Sequence, residues 1–119
     1  MKPYLEFRKS LLLLDRGQAE KGRETLEQVI PHAEAEQDTV TLVQSLVCLG
    51  DLLVELDALD EARSLLGRAL AYADDPDLEE SDDVLGYEFA RATELLEAIQ
   101  QHRFQATSHD QPLEHRTGK

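Results

Sequence analysis

The chain has 119 residues, a net charge of −13 and one cysteine, Cys48. One domain's worth of chain can bury a real core without staples, and a lone cysteine excludes an internal disulfide. The charge is concentrated: residues 1–37 carry −1, residues 38–83 carry −11 and residues 84–119 carry −1. Such a field opposes nucleic acid and anionic membranes and attracts basic partners. No apolar run reaches the length of a membrane span. The opening MKPYLEFRKSLLLLDRG has charges on both sides of its leucines and no small-residue cleavage site, so it does not read as a signal peptide. A cytoplasmic location fits.

Residues 1–37 read as two helices, roughly 2–14 and 18–36. Tyr4, Phe7, Leu11 and Leu14 recur at helical steps, as do Gly22, Leu26 and Val29. Pro31 is expected to kink the second helix or end it near Ile30. HAEAEQD then continues as an extension, and Asp38 or Thr39 caps the next helix.

The centre is VQSLVCLGDLLVELDALDEARSLLGRALAYADDP, residues 43–76. Leu46, Leu49, Leu53 and Leu56 fall on one face of a helix over about 40–56. Gly50 sits among them. A mid-helix glycine costs roughly 1 kcal/mol against alanine, which points to a close helix crossing. Ala62, Leu66, Ala69 and Leu70 give the partner stripe, over about 60–73. Asp60 is the expected N-cap, Ala62 the expected neighbour of Gly50, and Asp74, Asp75 and Pro76 the stop.

Residues 74–83, DDPDLEESDD, are a poor calcium loop: Glu80 stands where an EF-hand needs glycine and Gly86 where it needs glutamate. They suit a linker into a helix N-terminus, where acids oppose the dipole. Leu85, Phe89, Ala92, Leu96 and Ile99 then make one stripe without a breaker, a single helix over about 80–104. Residues 105–119 lack periodicity and read as a disordered tail.

The central stretch resembles the tetratricopeptide repeat, whose pattern is W-x2-L-G-x2-Y followed by A-x3-F and a later small residue and proline. Leu46, Leu49, Gly50 and Leu53 take the first spacings, with Leu46 for the tryptophan and Leu53 for the tyrosine. Ala62, Leu66 and Ala69 take the second, and Pro76 comes slightly late. A shift of 42 lays Tyr4, Phe7, Leu11 and Leu14 on the central leucines as a degenerate first repeat. That register sets Arg8 on the Gly50 slot and requires a first turn two residues longer. Gly22 would then admit the stem of Arg8. Leu85-Gly86-x-x-Phe89 repeats part of the motif. The resemblance implies an all-α, right-handed solenoid over residues 1–104: two hairpins and a capping helix.

In that family the first helices of successive repeats line a concave groove. Carried over, the resemblance places Leu5, Lys9, Leu12 and Leu13 there from the first helix. The third helix gives Gln44, Val47, Cys48, Asp51, Val54 and Glu55. The last gives Glu80, Asp83, Val84, Tyr87 and Arg91. The apolar residues among them either floor a groove or lie under neighbouring helices. The implied function is a non-catalytic adaptor for a peptide or helix, basic or amphipathic. A self-associating scaffold, dimeric through the N-terminal helix, is the alternative, as is a small acidic secretion-type chaperone. No catalytic, cofactor or metal constellation is legible: the four histidines share no helix face, and Cys48 has no basic neighbour in sequence.

Overall fold

The structure is a computed structural model that describes residues 1–75 and 85–102. The described residues are all-helical, with no strand. α1 spans Pro3–Asp15, α2 Ala19–Ala35, α3 Thr39–Glu55 and α4 Leu59–Leu70; α5 covers 85–102. α1 packs on α2, α2 on α3 and α3 on α4, so the first four helices form two successive hairpins. The expected beginning and end of the last helix, the stop at Pro76 and the 105–119 tail lie outside the described residues.

The three turns between these helices are the same turn. Gly17, Gln37 and Asp57 adopt left-handed backbone, with φ of 78°, 57° and 65°. In each, the left-handed residue donates its N–H to a carbonyl three back, and the next residue donates to one five back. Gln18 bonds Leu13 at 2.9 Å, Asp38 bonds Ala33 at 2.9 Å and Ala58 bonds Leu53 at 2.8 Å. This is the Schellman closure, which satisfies the last helical carbonyls. The next helix begins at once: Gln18, Asp38 and Ala58 also accept from the residue four ahead. Only Asp38 adds a side-chain cap, accepting from the Thr41 N–H at 3.2 Å. α4 is capped by Ala58, not Asp60, which lies in its first turn.

Equal turns correct the register of the first hairpin. Left-handed residues at 17 and 57 relate the hairpins by 40 residues throughout, so the first turn is not longer. Ser10, not Arg8, then occupies the position of Gly50, and Ser10 is fully buried. The buried face of α1 is Pro3, Phe7 and Ser10, with Leu14 packed against the core. Tyr4 and Leu11, expected on that face, are exposed. Phe7 and Leu14 face the core as expected, while Pro3 and Ser10 take the places of Tyr4 and Leu11, a shift of one residue, about 100° around the helix, at those two positions.

Both crossings use a glycine, from opposite partners. A Cβ at Gly50 would stand 2.7 Å from Leu66 Cδ2, and a Cβ at Gly22 would stand 2.6 Å from Leu14 Cδ2. Gly50 therefore takes Leu66, not Ala62, and Gly22 takes Leu14, not Arg8. Arg8 is exposed and donates to the Tyr4 hydroxyl at 3.1 Å. Gly86 differs: among the described residues nothing lies within 4 Å of its Cβ position, so its LG pair marks no crossing between them.

The core runs through α3. Leu46, Leu53 and Leu66 are fully buried with Leu26, Val29 and Leu85, and each such leucine stabilises by roughly 1.5–3 kcal/mol. Ala62 and Ala69 lie beneath α4, and Leu85, Ala92, Leu95 and Ile99 bring α5 onto the same cluster. Leu56, expected on the α3 stripe, caps the helix instead and is exposed. Pro31 does not end α2, which continues to Ala35. The proline removes the bond to the Glu27 carbonyl, but both residues face solvent, so the carbonyl is not left in the core.

Candidate functional site

A cleft of about 340 Å³ opens where the carboxyl ends of α1 and α3 lie side by side. Leu14 and Asp15 line it from α1, Ala19 from the start of α2, and Cys48, Asp51, Leu52 and Glu55 from α3. The four α3 residues follow three- and four-residue steps, which place them on one helix face. Leu14, Ala19 and Leu52 make an apolar floor. Asp15, Asp51 and Glu55 make a carboxylate rim. Asp15 and Glu55 are the last residues of their helices, occupying corresponding positions in the two hairpins.

α5 closes one side. Arg91 grips Asp51 with one edge of its guanidinium: Nε donates to Oδ2 at 3.1 Å and Nη2 to Oδ1 at 3.2 Å. Its Nη1 also donates to Glu94 at 3.3 Å. A two-pronged arginine–carboxylate pair fixes geometry as well as charge. Its hydrogen bonds to the Asp51 carboxylate raise the pKa of Arg91 further, so the guanidinium stays charged. Asp51 is thereby largely balanced, and Asp15 and Glu55, both exposed, carry the rim's charge.

Cys48 forms part of the wall. Burial, aided by the negative charge of Asp51, pushes its thiol up to about 11. At neutral pH it is a protonated, weakly polar packing group and not a nucleophile.

Of the residues the sequence pointed to, Cys48, Asp51 and Glu55 meet in the cleft, and Arg91 reaches it through Asp51. Gln44 is half-buried one turn before Cys48. Val54 is half-buried against the core, and Val47, at 4% exposure, lies inside it. Tyr87, one turn before Arg91, is 71% exposed. Leu5, Lys9 and Leu12 are exposed and Leu13 half-buried, but they occupy the side of α1 turned away from Leu14 and the cleft. That displacement is the two-residue register error again. Glu80, Asp83 and Val84 lie outside the described residues. Sequence reasoning missed Leu14, Asp15, Ala19 and Leu52. Asp15 was within reach, because a shift of 40 lays it on Glu55.

Among the described residues no cluster of histidine, cysteine or carboxylate side chains could hold a metal ion, and no helix is long and apolar enough to cross a membrane. Comparisons with protein-family models, curated proteins and solved structures find no match for this chain. What the protein does must therefore be argued from the cleft itself.

Proposed function

We propose that the protein is a non-catalytic interaction module of the tetratricopeptide type, and that its α1–α3 cleft takes an amphipathic basic segment of a protein. The observation that carries this is the lining: an apolar floor of Leu14, Ala19 and Leu52 under a rim of Asp15, Asp51 and Glu55. An apolar anchor fills the floor, and lysine or arginine beside it meets the rim. The anchor supplies most of the affinity, while the charges speed and orient the encounter. Small residues at the helix crossings support the repeat reading. The step between hairpins is 40 residues, longer than the 34 of the tetratricopeptide pattern, so this is a long-helix variant of that array.

The test uses a fluorescent peptide with leucines at three- and four-residue steps and lysines beside them, against the same peptide with glutamates for lysines. The lysine peptide binds saturably and the glutamate peptide does not. Asp15→Lys with Glu55→Lys weakens binding roughly tenfold or more. Lysine suits a helix carboxyl end, where the dipole favours a cation, so this pair should melt no lower than the parent. Equal binding of both peptides, or no effect of the substitutions, overturns the proposal.

A further inference from the structure

The outer face of α1 is apolar and uncovered. Leu5 is 50% exposed, Leu12 56% and Met1 77%. Leu5 and Leu12 are two helical turns apart, about 10 Å along the axis, and project on the side opposite Phe7, Ser10 and Leu14. Basic residues flank them: Arg8 to one side, Lys2 and Lys9 to the other, and Arg16 at the end, all exposed. Residues 1–16 hold four basic and two acidic groups, while the whole chain is at −13. An apolar ridge with a basic border thus stands on an otherwise acidic protein. The α1–α3 cleft is its complement, an apolar floor bordered by Asp15, Asp51 and Glu55.

We propose that the occupant of the cleft is the outer face of α1 from a second copy of this chain, joined head to tail. The inference rests on the cleft reading given above and names its partner. Ridge and cleft lie on opposite sides of α1, so one molecule can donate and accept at once. Such a heterologous contact extends into chains or closes into rings. A symmetric pairing of two α1 helices is disfavoured by charge. If Leu5 faced Leu12 of the partner subunit, the midpoint would fall between residues 8 and 9. Arg8 of one copy would then oppose Lys9 of the partner subunit, and like charges repel. Docking into the cleft sets the same cations against carboxylates.

Full-length protein is followed by sedimentation velocity from micromolar to several hundred micromolar, in low and high salt. The wild type sediments faster as concentration rises, and less so in high salt. Two variants each remove one surface: Leu5→Glu with Leu12→Glu spoils the ridge, and Asp15→Lys with Glu55→Lys spoils the cleft. All four positions are exposed or at helix ends, and circular dichroism checks that each variant stays folded. Each alone is monomeric, its association weakened roughly tenfold or more. Mixed in equal amounts, they form a dimer and nothing larger, because only one intact ridge meets one intact cleft. A mixture that stays monomeric while the wild type associates points to a symmetric contact and overturns the inference. A wild type that is monomeric throughout also overturns it; the cleft reading then stands if the lysine peptide binds and falls with it if the peptide does not.

Discussion

Gly50 and Leu66 hold the second hairpin together by leaving no room between them. A methyl group added at Gly50 would sit 2.7 Å from Leu66 Cδ2 and 2.8 Å from Cγ, inside any ordinary contact. Because Cγ is the branch point of the side chain, leucine cannot swing its tip aside to relieve it.

Gly50→Ala should therefore destabilise the protein by roughly 1–3 kcal/mol, despite a helix-propensity gain of about 1 kcal/mol. Leu66→Ala alone should cost about 2–5 kcal/mol. In the Leu66→Ala background, Gly50→Ala should become neutral or stabilising. Urea denaturation of the four proteins measures the coupling, and additive costs would place the crossing elsewhere.

Asp57 holds a left-handed conformation, φ 65°, that Gly17 adopts at the equivalent turn. A side chain there carries a penalty of roughly 1–2 kcal/mol that glycine avoids. Asp57→Gly should raise the melting temperature and Gly17→Val should lower it, as seen by circular dichroism. Opposite signs at the two positions test the equivalence of the turns directly.

Much of the second hairpin was legible because its residues are unambiguous. Leu46, Leu49 and Leu53 have no second way to lie on a helix, and Ala62, Leu66 and Ala69 answer them. The first hairpin was harder for two physical reasons. Leu11 to Leu14 are four leucines in a row, so hydrophobicity alone cannot say which of them faces inward. Gln37 and Asp57 adopt a backbone that glycine usually announces, which hid the equal turn lengths. Ser10 compounded this: a buried hydroxyl on the core face looks polar in sequence, yet it bonds back to the Phe7 carbonyl and is small enough for a crossing. The cleft depended on that register. Its α3 side was readable, while its α1 side waited on knowing that Asp15 answers Glu55.

Ser45 is fully buried in α3, and its hydroxyl finds no hydrogen-bond partner among the described residues. A buried polar group left so costs about 1–3 kcal/mol. Ser45→Ala removes it and favours the helix, so stability in urea should rise by roughly 1 kcal/mol or more. A loss of stability would show that the hydroxyl is satisfied after all.

Cys48 makes stability depend on alkaline pH. Its pKa is raised in the folded state, from an ordinary 9.0 to about 11, so the native protein holds the proton more tightly than the unfolded chain. The contribution is complete below pH 9 and is lost as pH climbs to about 11. Relative to Cys48→Ala, the wild type should lose on the order of 3 kcal/mol across that window. The difference between the two urea curves isolates the contribution of this residue. Alkylation by iodoacetamide should be slow at pH 8 and accelerate only as the thiol ionises.

Each of α1 to α4 packs chiefly on the helix before or after it in the chain, with α1 touching α3 only lightly. Every main contact among them is thus made between segments that are never far apart along the backbone. Bringing them together closes only short loops, so little search is needed and folding should be fast for a chain of this length. The same topology sets where the molecule opens. Among the described residues α1 packs chiefly on α2, and its release exposes the face of α2 without disturbing the α3–α4 crossing. Amide protection should accordingly be graded, lowest in α1 and highest in α3, rather than uniform.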